Sequence, residues 1–294
     1  MTAPPVLNVH LEGSMLETAR AGTFNFMNVL RRTVEAAGWQ LRWLGPGETA
    51  TAGWSLFHMQ PPPGAQGLIF RRAYHYPFWR IETQPQRWRF EVARQAFDPA
   101  TVDGAAARDF SQALRARLWP GPPPRRGDLV LVPLQGHLRR CRSFQTMSPV
   151  EMLARVAETG RPVVATLHPR ERLEPADHLA LEALARRHGN LRIGGDSARL
   201  LRDCALVATQ NSAVAFDGYL LGKPAVLFAQ IDFHHIGLNV AELGARRALA
   251  MAPGHGPDFD RYLHWFLREQ AIEATRPEAG ARILAALRRG GLPI

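Results

Sequence analysis

Short apolar runs alternate with stretches of helical rhythm through the second half of this 294-residue chain. DLVLVP (Asp128 to Pro133), PVVATL (Pro162 to Leu167), Leu191 to Ile193, Leu206 to Thr209 and Ala225 to Phe228 carry too little polar alternation for strands with one wet face. They are the pattern of strands buried on both sides. Between them Pro149 to Glu158, Glu174 to His188, Ser197 to Asp203 and Ala213 to Leu221 have helical spacing. Gly160 and Gly222 lie where two of these helices must stop, and Pro224 prevents the last from continuing. Strand and helix in strict alternation predict a mostly parallel sheet with helices on both faces.

The first half is less regular. Val6 to Leu11 predicts a strand, Phe26 to Ala37 a helix closed by Gly38, and Trp39 to Leu44 a second strand. From Gly45 to Pro85 the pattern is poor, and Pro61 to Pro63 predict a stiff turn. The stretch RRAYHYPFWRIETQPQRWRFEVARQAF is expected to be a core and interface segment, with arginine stems lying over its rings. Val102 to Leu118 predicts one helix. The segment PGPPPRR, Pro120 to Arg126, is the expected linker. Asp258 to Thr275 and Glu278 to Arg289 predict two terminal helices separated by Pro277. The expected domains are therefore 1–120 and 127–276, with 277–294 a last helix that crosses back to the first domain.

In open α/β sheets ligands bind beyond the carboxyl ends of the strands. Polar residues at those ends are the candidates for chemistry. Gln210, Asn211 and Ser212 follow one strand directly and open a helix, whose first N–H groups lack partners inside it and suit an anion. An ordinary N-cap is the alternative at Ser212. His168 ends another strand, ahead of Pro169 and Arg170, and its imidazole suits a phosphate leaving group, with Arg170 adding a charge-assisted hydrogen bond. Gln135, His137, Arg139, Arg140 and Gln145 occupy the loop after DLVLVP, a third strand end. Asp217 lies five residues beyond Ser212, where it can bind a ribose hydroxyl or hold an arginine. His234 and His235 sit in a substrate- or nucleotide-facing loop, since adjacent side chains diverge and no HExxH pattern marks a metal site. His10 and Glu12 follow the first strand and are the candidate general bases.

Composition narrows the classes. The chain is 46% hydrophobic and 21% charged, as expected of a globular protein, and no apolar segment is long enough to cross a bilayer. The start carries no secretory pattern, and Cys141 and Cys204 form neither a metal-ligand spacing nor a disulfide framework, so a cytoplasmic location is expected. The net charge of +10 comes almost wholly from arginine, Lys223 being the only lysine. The arginines are dispersed, without zinc-finger spacing, an RNA-binding aromatic pattern or a basic tail, so nucleic acid is not the expected partner.

DLVLVPLQ, the loop running to FQTMSP, then PVVATLHPRE and LVATQNSAVAFDGYLLGKPAVLF together resemble the capsule polysaccharide biosynthesis proteins, which include transferases of 3-deoxy-manno-octulosonate (Kdo). The resemblance covers roughly Asp128 to Ile236. It implies a GT-B-like α/β fold, two Rossmann-like domains facing across a cleft, here with a reduced N-terminal domain. It implies a metal-independent glycosyltransferase that needs no cofactor and uses a nucleotide-activated sugar, CMP- or UDP-linked. The acceptor would be a surface polysaccharide or lipid-linked glycan, and peripheral contact with the inner membrane or an assembly complex is part of that setting. His168 and Ser212 would face the donor phosphate, and Asp217 stands where relatives carry a glutamate in the helix lining the nucleotide site. Relatives carry acidic residues soon after the glutamine matching Gln135, whereas GHLRRCRSFQ has none. The rival expectations are a nucleotide-sugar epimerase of the same fold and a non-catalytic glycan-binding or scaffold protein.

Overall fold

The computed structural model describes residues 4–168 and 171–294. The chain divides into two compact units. The first comprises the residues up to Gln95 together with Phe266–Ile294, and the second is Ala96–Trp265. This division differs from the expected one at 120/127 and 276/277.

In the first unit β1 (Val6–His10), β2 (Gln40–Leu44), β3 (Trp54–His58), β4 (Gly67–Arg72) and β5 (Phe78–Glu82) contribute to one sheet, with helices α1 (Gly13–Arg20), α2 (Asn25–Ala36) and α3 (Glu91–Arg94). Three of these strands lie in the segment where the sequence pattern is poor. Leu7, Val9, Leu56, Leu68, Phe70, Trp79 and Ile81 share one core with Phe26, Met27, Leu30 and Val34 of α2. The period-2 spacing of the strand members puts them on a single sheet face. β5 is buried along its whole length, including Arg80 and Glu82. The Arg80 guanidinium donates to the carbonyls of Phe266 and Gln270, and the Glu82 carboxylate accepts from the Glu91 amide at the start of α3. Burial raises the Glu82 pKa, and the nearby Arg80 charge opposes that shift.

The second unit begins before the expected linker. α4 (Gly104–Leu118) is capped by Asp103, whose carboxylate accepts from the Ala105 and Ala106 amides. Pro120 to Arg126 is not an inter-domain linker but a strap on this unit. The Arg202 guanidinium donates to the carbonyls of Pro120 and Pro122, Arg125 N–H donates to Arg202 O, and Lys223 Nζ donates to Arg125 O. The sheet follows with β6 (Val130–Leu134), α5 (Pro149–Ala157), β7 (Val163–Leu167), α6 (Pro175–Arg187), β8 (Leu191–Ile193), α7 (Ser197–Asp203), β9 (Leu206–Thr209), α8 (Ala213–Leu220), β10 (Ala225–Leu227) and β11 (Leu238–Asn239). Its strand order is β11-β10-β9-β6-β7-β8, every pair parallel. Relabelled within the unit, this is the 3-2-1-4-5-6 order of a dinucleotide-type fold. α9 (Val240–Leu243), α10 (Ala245–Met251) and α11 (Phe259–Leu263) complete the unit.

The expected helix Asp258 to Thr275 is broken. After α11 the backbone loosens into a π-helical turn, His264–Glu269, and then forms β12 (Ile272–Glu273). β12 pairs antiparallel with β5, and α12 (Ala279–Arg289) inserts Ile283, Ala286 and Leu287 into the core of the first unit. Hydrogen bonding along β5 there replaces helix propagation. The sheet of this unit has the order β12-β5-β4-β3-β1-β2, with β2, β1, β3 and β4 mutually parallel.

Two mostly parallel, helix-covered sheets thus make up an α/β protein of Rossmann-like units. No helix of the described residues is long and apolar enough to cross a membrane.

Candidate functional site

Each sheet has a point where successive connections reverse direction, the place where doubly wound folds bind their ligands beyond the strand ends. In the second unit the reversal lies between β6 and β9. Gln135 is the first residue after β6, and its side-chain amide donates to Ser212 Oγ at 3.3 Å, across the top of the two strands. Ser212 is the N-cap of α8, its hydroxyl accepting from the Val214 amide at 3.3 Å, and it is only 2% exposed. Thr209 completes the turn, with its hydroxyl donating to Pro133 O at 3.1 Å and accepting from the Ser212 amide at 3.4 Å. The Ser212 oxygen therefore accepts both bonds, and neither uses the hydroxyl proton. Asn211 is half-buried beside it.

His168 follows β7, the neighbour of β6 on the other side, and is half-buried. β7 and β9 flank β6, so His168 and Ser212 both stand at the carboxyl edge of this sheet. Arg170 lies outside the described residues. Asp217 sits half-buried in the second turn of α8.

The loop after Gln135 divides by chemistry. Arg139 does not face a substrate with its charge unspent. Its guanidinium donates to Glu174 Oε2 at 2.6 Å and Asp177 Oδ1 at 2.9 Å, the two carboxylates that cap α6. These hydrogen bonds, Asp177 foremost, raise its pKa. His137 is exposed next to it, lining a cavity of about 160 Å³ with Arg139, Arg140, Glu174 and Asp177.

His234 and His235 lie in a 3-10 turn beyond β10 and stack on each other at 4.3 Å. His235 Nδ1 is 3.0 Å from Tyr262 Oη, and its ring meets Trp265 edge-on at 4.9 Å. His235 is thus set in an aromatic wall, which fixes its ring orientation. Among the described residues no group of three or more His, Cys, Asp or Glu side chains is placed to hold a metal ion.

In the first unit the reversal lies between β1 and β3. His10 ends β1 and stacks on Phe57 of β3, with centroids 4.2 Å apart and planes 9° from parallel. Its Nε2 lies 3.4 Å from Ser55 Oγ. Burial holds its pKa below the ordinary histidine value. Glu12 precedes α1, is exposed, and accepts from Gln60 Nε2 at 3.3 Å. Both line a cavity of about 250 Å³ with Glu48, Phe57, His58 and Gln60. His58, Glu48 and Gln60 belong to no motif in the sequence. The one local sign of His58 is its place at the end of WSLFH, a five-residue strand between turns. Its pKa is lowered by burial first and then by the charges of Arg71 and Arg72. Glu48 is paired with Arg20 at 3.0 Å and accepts from the Gly45 amide, which leads the lowering of its pKa.

No family model and no curated protein sequence matches the chain. Among solved structures it is similar to the KpsC β-Kdo 2,7 transferase of Thermosulfurimonas dismutans, at 12% identity and a TM-score of 0.48 over 84% of this chain and 89% of that one. The β-Kdo 2,4 transferase of the same protein gives 12% identity and a TM-score of 0.40 over 90% and 99%. A glycosyl transferase family 9 structure from Veillonella parvula DSM 2008 gives 12% and 0.28 over 99% and 98%. With every TM-score below 0.5, these likenesses assign neither activity nor substrate to this chain.

Proposed function

We propose that the protein is a glycosyltransferase that moves a sugar from a nucleotide donor to a glycan or lipid-linked acceptor. The observation that carries this reading is the Gln135–Ser212 hydrogen bond. It ties the two strand ends at the reversal point of the second sheet to the amino end of α8, the place where a doubly wound fold binds a nucleotide phosphate. The donor phosphate would lie there, between the Ser212 hydroxyl, the first amides of α8 and His168.

His10 and Glu12 are the proposed proton acceptors. An acceptor hydroxyl gives its proton to His10 or Glu12 as its oxygen attacks the anomeric carbon. The bond from that carbon to the phosphate oxygen breaks, and the phosphate leaves with the electron pair. Donors aimed at the leaving oxygens stabilise the charge that grows there. His10 suits the base role because its depressed pKa keeps the imidazole neutral near pH 7. Asp217 of α8 is proposed for the nucleotide, and His137, His234 and His235 for the substrate-facing rim. No metal takes part in this scheme.

The test is turnover across CMP-, UDP- and GDP-sugars, with product analysis in the presence and absence of acceptor. Release of free nucleotide, lost in His168→Ala with folding intact, is the expected result. Absence of both binding and turnover with all three donor classes refutes the proposal. Epimerised nucleotide sugar without acceptor would replace transfer by epimerisation.

A further inference from the structure

The loop between β6 and α5 crosses the carboxyl edge of the second sheet. It leaves β6 at Gln135 and is then fastened to the far side of β9. Thr146 N–H and Oγ1 both donate to Phe228 O at 2.9 Å, and Gln230 N–H donates to Phe144 O at 2.9 Å. Phe228 and Gln230 follow β10, which lies beyond β9 in the sheet. Gln210, at the end of β9, donates to Met147 O at 3.0 Å from below. The loop therefore passes over the carboxyl end of β9, where Asn211 and Ser212 stand.

Arg142 is the cation held in this loop. Its guanidinium carbon lies 4.7 Å from the centre of the Phe144 ring. Its terminal nitrogens lie over Gly136, where an added Cβ would meet them at 3.2 and 3.3 Å. Gly136 has φ +68° and follows Gln135 in the chain, so the bare backbone leaves room for the guanidinium there. Among the described residues no carboxylate pairs with Arg142, in contrast to Arg139 with its two acids. Two donors of this cluster are shielded from solvent without an acceptor among the described residues: Arg142 Nε and Gln145 Nε2. Gln145 is only 9% exposed, and its Oε1 accepts from the Arg142 backbone amide at 2.8 Å, which fixes the Gln145 side chain against the Arg142 main chain. Buried donors are nearly always satisfied, and a charged one without a partner is costly.

We propose that Arg142, with Gln145, binds an oxyanion of the ligand at the β6–β9 strand ends, either a phosphate or the carboxylate of an acidic sugar. This rests on the donor-site reading above and adds its charge specificity. The loop following Gln135 carries a fixed cation and no acid, so its contribution is charge neutralisation and not proton removal. Arg142 is a substrate-positioning residue whose planar fork matches a phosphate or carboxylate.

The test is calorimetric titration of the full chain with inorganic pyrophosphate, CMP and a free 2-keto sugar acid, at two salt concentrations. Wild type, Arg142→Gln, Arg142→Lys and Arg139→Gln are compared, with thermal unfolding to verify folding. Arg142→Gln is expected to weaken the bound anion roughly tenfold or more, the scale of a hydrogen bond to a charged group, and to flatten the salt dependence. Arg142→Lys should recover part of the loss, and Arg139→Gln should bind as wild type does. Loss confined to pyrophosphate and CMP identifies the phosphate, and loss confined to the sugar acid identifies the carboxylate. Wild-type binding that Arg142→Gln leaves within twofold for every probe overturns this assignment while the transferase reading stands. Anion binding lost in Arg142→Gln from a protein that turns over no nucleotide sugar overturns the transferase reading and leaves the anion site. No binding of any probe by wild type overturns the anion site.

Discussion

Replacing Ser212 with alanine tests whether one hydroxyl holds both the helix and the candidate site. Its oxygen accepts the Val214 amide and the Gln135 side chain, each at 3.3 Å, in a position 2% exposed. Losing a serine N-cap costs about 1 kcal/mol. Stranding the half-buried Gln135 donor adds about 1 kcal/mol. The expected destabilisation of the second unit is therefore about 2 kcal/mol, with the charge on the protein unchanged. Urea unfolding of the full chain gives the total, and hydrogen exchange locates it. The Val214 amide and the first turn of α8 should lose protection, while the amides of β1 and β3 keep theirs. A total below about 0.5 kcal/mol with Val214 still protected would refute the cap, because surface-like substitutions fall in that range. In titration with CMP the same variant should bind more weakly than the stability loss alone implies, since the missing proton is one the phosphate would have accepted.

Lys223→Met should cost roughly 2–4 kcal/mol, measured by urea unfolding, because it leaves the carbonyls of Cys204 and Arg125 without their buried donor. Relief of the buried charge, which depresses the lysine pKa, offsets part of that loss. Tyr219→Phe should be neutral or stabilising by about 1 kcal/mol in the same assay, since it removes a fully buried hydroxyl that has no partner among the described residues. His10 and His58 both have pKa values depressed below 6.5 in the folded state, so the unfolded chain binds more protons between the two values. Their contribution is fully present above pH 6.5 and is lost as the pH falls through the folded values. His10→Phe should reduce the acid-side slope of stability in the first unit, and an unchanged slope would exclude His10 as its source.

The second unit was legible because its strands are buried on both faces and carry almost nothing polar. DLVLVP, PVVATL and LVAT stand out as apolar blocks, and the residues that follow each block form the candidate site. The first unit hides its strands. Arg80 and Glu82 lie inside β5, and Arg80 is tolerated there because Phe266 and Gln270, far along the chain, present their carbonyls to it. No local pattern carries that compensation. The same reason hid the fate of Arg139, whose acids Glu174 and Asp177 come from the next helix but one structural step away, and of PGPPPRR, which has the composition of a linker until Arg202 clasps it. Proline and glycine report backbone freedom and say nothing of what seizes the segment from outside. Arg142 showed only as part of a loop without acids, because whether a distant acid pairs with it among the described residues depends on the folded contacts.

The first unit is assembled from both ends of the chain, with the second unit lying between them in sequence. Synthesis on the ribosome therefore delivers the inserted unit whole while its host is still incomplete. Until residues 272–294 emerge, β5 has one open side and the apolar residues of α2 lack those of α12. A vectorial order of maturation follows, with the nucleotide-type sheet finished first and the His10 sheet last. Chains truncated after Trp265 should then resist protease in the later-coded unit and yield in the earlier-coded one.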